Sequence, residues 1–216
     1  PRLSALAPPR PPSPEAEEGT RAHALLAACL TKDARPVEGR WPREIVDSVN
    51  FAIDVIRDFE ARGYTITSVE RYESFSTSDG IVDDAGGTPD LTMESADGRE
   101  AVVVDFKHGA GVAVTSWHQH LFYGLCRYAS RSGYVAFRLV TVQPRSPDRI
   151  FIKQTVVDAL ALADFYADVV AAIERAKMDN AAPSAGPHCR WCPAEMTCPA
   201  REQRALQVAH DTFASV

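Results

Sequence analysis

The sequence predicts an α/β protein in which a small mixed β-sheet is flanked by helices, with a C-terminal cysteine-cluster appendage. Two observations indicate this class: apolar residues at helical spacing fill both ends of the chain, whereas β-branched and aromatic residues fill its middle. The predicted order of helix, helix, strands, helix, strand, helix is that of helices packed around one sheet. The 216 residues suffice for one domain with a small appendage.

The N-terminal elements are predicted from proline content and apolar spacing. Six prolines indicate that residues 1–16 form an irregular lead-in. A helix is predicted over 17–30, where leucines recur on one side. A second helix is predicted over 42–62, because Pro42 suits a first helical turn and Gly63 follows where a C-cap glycine belongs.

The middle of the chain is rich in strand-forming residues. Strands are predicted over 65–75, 91–94 and 101–106, and a turn at 96–98 joins the last two. Successive residues of the third strand are apolar, as expected of a central strand that is buried on both faces.

The C-terminal half returns to helical spacing. A helix over 116–130, a strand over 136–143 and a long helix over 154–177 complete a predicted core domain of residues 17–180. The last segment, residues 181–216, holds the cysteine cluster and a short terminal helix, and we assign it to the appendage.

Charge and hydropathy argue against two classes of protein. The net charge of −6 argues against a protein that coats nucleic acid electrostatically, and no apolar run approaches the ~20 residues of a membrane helix. Residues 79–105 hold eight acids against one arginine, whereas residues 127–153 hold six basic residues against one aspartate. An acidic pocket beside a basic strip suits a metal site next to a phosphate backbone, although a solvated surface explains the pattern as well.

The most informative polar residues flank the central strand. Asp90 opens one predicted strand, and Asp105 and Lys107 end the next. Residues two apart share a strand face, and the short turn brings Asp90 alongside them. Two carboxylates can hold Mg²⁺ while a lysine orients the attacking water or offsets negative charge. The alternative is a surface salt bridge, against which the buried strand and the nearby Gly87-x-x-Asp90 unit both weigh.

Three further positions support or complicate this site. Gln119 and Tyr123 lie one helical turn apart and can contact a phosphate or a base, although the tyrosine can equally pack on the sheet. His23, on the first helix, can complete a metal site. Glu70 can aim at the same cleft, but we favour the interpretation that it is an ordinary surface residue.

The C-terminal cysteines follow a C-x2-C-x5-C pattern. Cys189, Cys192 and Cys198 carry thiolates at a spacing that can wrap one metal centre. Zinc requires a fourth ligand, and an iron–sulfur cluster normally requires a fourth cysteine. Cys29 and Cys126 are candidates for it, but both fall on predicted helices.

In their order along the chain, these motifs resemble the RecB-like branch of the PD-(D/E)XK nuclease superfamily, which has a restriction-endonuclease-like core. The resemblance runs from Gly19 to about Ala200. It is strongest to an uncharacterised RecB-like family of bacteriophages and prophages, in which segments like 18–23, 104–109 and 141–144 recur. CRISPR-associated RecB-like iron–sulfur nucleases share the layout.

The resemblance implies a role for each motif. The implied ligands of Mg²⁺ or Mn²⁺ are His23, Asp90, Asp105 and the backbone carbonyl of Phe106. Lys107 would serve the catalytic water, and Gln119 and Tyr123 would contact the DNA strand. The three clustered cysteines would hold a [4Fe–4S] cluster, with zinc as the alternative. In such proteins a fourth cysteine precedes the histidine motif, so it is expected upstream of Pro1.

The activity implied is that of a Mg²⁺- or Mn²⁺-dependent deoxyribonuclease. It would act as an exonuclease, or on single strands and DNA ends, in phage DNA replication, recombination or repair in the cytoplasm of a bacterial host. Its partners would be DNA and phage recombination or replication proteins, with no membrane. Two alternatives stay open: a nucleic-acid-binding or assembly module with this fold and little activity, and a zinc-stabilised structural protein.

Overall fold

The computed structural model describes residues 7–8, 11–115 and 117–214. The chain divides into a larger compact unit, Ser13–Val170, and a smaller one that holds the described residues before Ser13 and from Ala171 onward. Within the described ranges, no helix combines the length and the apolarity needed to cross a membrane. The predicted lead-in at 1–6 and 9–10, the first residue of the predicted helix at 116, and residues 215–216 of the appendage lie outside the described residues.

Two helices precede the sheet: α1, Pro14–Thr31, and α2, Arg43–Ala61. Helix α1 begins earlier than predicted, so residues 14–16 are helical instead of irregular. The cause is local, because Ser13 Oγ accepts the Ala16 N–H at 3.3 Å and Pro14 occupies the first turn.

Seven strands are described: β1 Thr65–Val69, β2 Glu73–Phe75, β3 Ala85–Gly87, β4 Leu91–Glu94, β5 Glu100–Phe106, β6 Ala136–Val142 and β7 Ile152–Asp158. Five of them form one sheet in the order β1-β4-β5-β6-β7. Its neighbouring strands are antiparallel except β5 and β6, which are parallel. The predicted α/β class with a mixed sheet flanked by helices is confirmed.

The predicted strand over 65–75 is two strands in different sheets. Glu70 has a φ of 45°, which ends the extended backbone after β1. Strand β2 then pairs with β3, which the sequence did not predict because Ala-Gly-Gly carries no strand pattern. Glycine is needed at position 86, where a Cβ atom would lie 2.4 Å from the Glu73 carbonyl oxygen.

The predicted helix over 154–177 was wrong at its start. Residues 152–158 form β7, an edge strand paired along its length with β6, and helix α4 spans only Ala159–Lys177, after helix α3 at Trp117–Ser130. Thr155, Val156 and Val157 are β-branched and favour the strand. The Asp158 carboxylate then accepts the Ala161 N–H at 2.8 Å, which caps the start of α4.

The core places the two faces of β5 in different surroundings. Val102, Val104 and Phe106 belong to a buried cluster with apolar residues of α1 and α2. Because side chains alternate along a strand, Val103 and Asp105 face the opposite side, against which α3 packs. Asp105 therefore lies at the end of the central strand, on the face opposite the apolar cluster.

The smaller unit has little apolar core. It contains a 3₁₀ helix, Pro187–Trp191, and helix α5, Pro199–Phe213. Among the residues described after Ala171, a single hydrophobic one, Ala194, is buried. Trp191 is 73% exposed.

Candidate metal and catalytic site

Three potential metal ligands meet where strands of the main sheet begin and end. His23 lies on the third turn of α1, Glu70 follows β1 and Asp90 precedes β4. One ligand atom of each lies within 4.8 Å of the other two, and no other three His, Cys, Asp or Glu residues in the described ranges meet in this way. Three separate elements thus bring together one imidazole and two carboxylates.

Asp90 connects these elements. One carboxylate oxygen, Oδ1, lies 2.8 Å from His23 Nδ1, and the other, Oδ2, accepts the Phe106 N–H at 2.6 Å. The Asp90 carbonyl accepts the Glu70 N–H at 3.0 Å, and Glu70 Oε1 lies 3.9 Å from His23 Nδ1. Asp90 therefore fixes the helix, the end of β5 and the turn after β1 relative to one another.

The electrostatics of the group favour a cation. Burial raises the pKa of Glu70, and the nearby charge of Asp90 raises it further. Burial alone would lower the pKa of His23, but the hydrogen bond and the charge of Asp90 outweigh that effect and raise it. Two carboxylates that repel each other in a partly buried site gain from a shared positive charge.

Asp105 and Lys107 lie at the end of β5. Lys107 Nζ donates to Asp105 Oδ1 at 2.8 Å, and the Asp105 side chain is 4% exposed. Asp105 Oδ2 is buried and has no hydrogen-bond partner in the described part of the chain. Burial raises the pKa of Asp105 although Lys107 opposes this. Asp105 is not part of the 4.8 Å group, and its predicted role as a ligand stays a prediction.

Phe106 contacts the group by its backbone and its ring. Its N–H donates to Asp90, and its ring centroid lies 5.2 Å from that of His23. The ring thus supports the imidazole from the apolar side of the sheet. The predicted role of the Phe106 carbonyl in metal binding stays a prediction.

Gln119 and Tyr123 pair on the surface of α3. Gln119 Nε2 donates to the Tyr123 hydroxyl at 3.0 Å. The tyrosine ring packs over Gly87, where a Cβ atom would lie only 2.7 Å from Tyr123 Cε1. Glycine at 87 therefore lets α3 approach the strand that leads to Asp90. Contact of this pair with DNA stays a prediction.

A second polar cluster, which the sequence did not predict, ties α1 to the sheet. His108 is buried, and its Nε2 donates to Glu18 Oε1 at 2.6 Å. Arg145 Nη1 donates to the same oxygen at 2.9 Å. These hydrogen bonds lower the pKa of Glu18, that from His108 most. The Glu18–His108–Arg145 cluster thus joins the helix of His23 to the segments that follow β5 and β6.

The basic residues between 127 and 153 do not form a free cationic strip. Five of the six contact acidic side chains: Arg127 with Glu73, Arg131 with Glu94, Arg138 with Glu100, Arg145 with Glu18 and Lys153 with Asp148. The charge segregation seen along the sequence is therefore largely neutralised in the fold.

The clustered cysteines lie in the smaller unit. Cys189, Cys192 and Cys198 are free and half-buried, and the Gly186 N–H donates to Cys189 Sγ at 3.3 Å. Their sulfur atoms do not form a group within 4.8 Å among the described residues. Cys126, in the larger unit, is buried, which raises the pKa of its thiol to about 12.

Glu70 is the site residue that sequence reasoning undervalued. Its signal in the sequence was its place within the predicted strand over 65–75, from which its carboxylate could aim at the same cleft. What the sequence could not show is the turn at Glu70, whose φ of 45° ends β1 beside Asp90.

Comparison with known proteins gives one family. No curated protein matches the chain. The crystal structure of an alkaline exonuclease (LHK-Exo) from Laribacter hongkongensis aligns with 73% of this chain and 82% of its own, at 16% identity and a TM-score of 0.31. LHK-Exo in complex with dAMP aligns with 73% of this chain and 83% of its own, at 15% identity and a TM-score of 0.32. The model of the DUF2800 family, described as proteins of unknown function, matches residues 7–216, and the chain therefore belongs to DUF2800.

Proposed function

We propose that this protein is a metal-dependent nuclease that hydrolyses phosphodiester bonds in DNA. One observation carries the proposal: the ligand group of His23, Glu70 and Asp90 lies at the end of the sheet where Asp105 and Lys107 form a mostly buried pair. A carboxylate-rich metal group beside a lysine is an arrangement suited to phosphodiester hydrolysis.

The donor atoms suit Mn²⁺ or Mg²⁺. Carboxylate oxygens suit both ions, whereas an imidazole nitrogen favours the softer Mn²⁺. His23, Glu70 and Asp90 would hold the ion, and the unpartnered Oδ2 of Asp105 is a further oxygen for it. When bound, such an ion lowers the pKa of a coordinated water and neutralises charge on the phosphate.

The chain's own residues supply position and charge. Asp90 holds His23 and the end of β5 in place through its two carboxylate oxygens. Lys107 is 27% exposed while its ammonium contacts Asp105, so it can donate a hydrogen bond to a phosphate oxygen or to the attacking water. Gln119 and Tyr123 offer an amide and a phenol on the neighbouring helix for a nucleic-acid strand.

The finer proposal is a RecB-like PD-(D/E)XK nuclease that acts on DNA ends or single strands. The ordered set of His23, Asp90, Asp105-x-Lys107 and Gln119-x3-Tyr123 supports it. We place its action in phage DNA replication, recombination or repair in the cytoplasm of a bacterial host, with recombination or replication proteins as partners.

The cysteine segment supports a narrower proposal. Three thiols are one fewer than a [4Fe–4S] cluster normally requires, so the described residues alone do not make a complete site and no catalytic step depends on one. We propose a structural role, with iron–sulfur favoured over zinc. Measuring iron, acid-labile sulfide and zinc in the purified chain separates the two.

A cleavage assay tests the main proposal. End-labelled single-stranded DNA, duplex DNA and RNA are incubated with the protein, with and without Mn²⁺ or Mg²⁺. We expect metal-dependent cleavage of DNA that Asp105→Asn and Lys107→Ala each slow by about 100-fold or more. Asp58→Asn, an exposed control on α2, should leave cleavage unchanged. DNA binding without cleavage would instead favour the nucleic-acid-binding module.

A further inference from the structure

Gln143 occupies an unusual position for an amide side chain. It directly follows β6 and is 1% exposed. Its Nε2 donates to the carbonyls of Gly109 at 2.7 Å and Val112 at 2.8 Å, and its Oε1 accepts the Val114 N–H at 2.9 Å. Both N–H groups of the amide and its oxygen thus bond to one loop, residues 109–114.

The loop over 109–114 depends on these bonds for its shape. It contains two glycines, which lose more backbone freedom on ordering than other residues, and it forms no helix or strand. The two carbonyls and one N–H that it presents match the two donors and one acceptor of a glutamine side chain. A carboxylate or a thioether of similar volume cannot make the same set.

The loop joins the two halves of the proposed site. It begins two residues after Lys107 and leads to α3, which carries Gln119 and Tyr123. The Lys107 N–H donates to the Val142 carbonyl at 2.9 Å, so the residue before Gln143 also fixes the backbone of the lysine. Lys153 Nζ donates to the Val114 carbonyl at 3.3 Å and supports the far end of the loop.

We propose that Gln143 is a positioning residue of the site, acting through the 109–114 loop to hold Lys107 and the start of α3 in register. The inference rests on the proposed nuclease function. Gln143 is enclosed by protein, and the side-chain hydrogen bonds described for it all go to the 109–114 loop. It sets where Lys107 points, and a displacement of about 1 Å at such a position costs about 100-fold in rate.

Two variants of matched size test this role. Gln143→Glu replaces both donors by acceptors, and Gln143→Met removes all three hydrogen bonds without adding a charge. We expect kcat for DNA cleavage to fall about 10- to 100-fold in each, with KM and Mn²⁺ affinity within about twofold of wild type. Amide exchange at Val114 should accelerate in both. Gln154→Met, which makes the same change at an exposed glutamine of β7, is the control.

A second step separates positioning from general destabilisation. In a Lys107→Ala background, Gln143→Met should reduce the residual single-turnover rate by a smaller factor than it does in wild type, because one of the two groups that it positions is gone. The inference would be overturned if the rate losses of Lys107→Ala and Gln143→Met multiply in the double variant. It would also be overturned by a folded Gln143 variant with wild-type kcat. Either result leaves the nuclease proposal standing. Wild-type protein that fails to cleave DNA with Mn²⁺ would overturn the nuclease function itself, and this inference with it.

Discussion

The two candidate metal centres of this chain are built in opposite ways. His23, Glu70 and Asp90 are far apart in sequence, yet three elements packed on a buried core bring their ligand atoms together. Cys189 and Cys198 lie within ten residues of each other, yet the sulfurs do not form a ligand group in the described residues.

The difference shows that close spacing in sequence does not by itself position ligands. The carboxylate–imidazole site is preorganised by β-ladders and by the hydrogen bonds of Asp90. The cysteine segment lies on a 3₁₀ helix and the loop after it, in a unit with little apolar core. In our proposal, such a segment would gain its order largely from the metal or cluster that it holds.

The largest expected effect comes from Asp105. Asp105→Asn keeps the volume but removes the charge that pairs with Lys107 and the oxygen available to a cation. We expect kcat to fall about 100-fold or more, with circular dichroism unchanged. An Asp105→Asn enzyme with wild-type kcat would show that hydrolysis does not need the carboxylate of Asp105.

Glu70 tests whether the ligand group extends beyond the predicted motif. Glu70→Gln retains the size of the side chain and loses a charge 3.9 Å from His23. Mn²⁺ affinity, measured by calorimetry, should fall about 10- to 100-fold. Glu38→Gln, in the exposed loop between α1 and α2, is the matched control and should bind as wild type does. Equal affinities for the two variants would remove Glu70 from the site.

The cysteine segment should be separable from the preorganised site. Cys192→Ser should remove most iron or zinc from the purified protein, because the pattern loses its middle ligand. Mn²⁺ affinity of the His23 group should stay within about twofold, since its ligands belong to the larger unit. A joint loss of both metals would show that the two centres are coupled.

The smallest expected effect concerns the Glu18–His108–Arg145 cluster. Its hydrogen bonds lower the pKa of Glu18, so the ionised carboxylate stabilises the fold above its unfolded pKa, and this stability is lost as pH falls through the lowered value. Because Glu18 is partly exposed, Arg145→Gln should reduce the free energy of unfolding by only about 0.5 kcal/mol at pH 7.

Urea unfolding at several pH values checks this effect. The difference between wild type and Arg145→Gln should begin to shrink as the pH falls below about 4, the ordinary range of a glutamate pKa, and should vanish once Glu18 is protonated in the folded state as well. Arg149→Gln, in the same exposed turn, is the control. A difference that stays constant with pH would show that Arg145 acts by packing and not through the charge of Glu18.

Local rules predicted the part of the site that one hairpin builds. The β4–β5 ladder pairs Leu91 with Val104, so Asp90 and Asp105 come at the same end of the hairpin, as the turn at 96–98 requires. The same rules missed β7, because Val157 lies at helical spacing from Leu160 and the predicted helix was therefore extended back over the strand. They misjudged the basic residues, because the acids that neutralise them lie on other elements, as Arg138 and Glu100 show. Long-range pairing of this kind leaves no trace in local spacing.

The backbone of Glu70 has a consequence for how this protein can change. A φ of 45° costs a residue with a Cβ atom about 1 kcal/mol, whereas glycine adopts it freely. Screening for thermostability alone would therefore favour glycine at this position and would discard a carboxylate of the ligand group in doing so. Glu70→Gly should raise or preserve Tm while weakening Mn²⁺ binding, which makes position 70 a point where durability and activity compete.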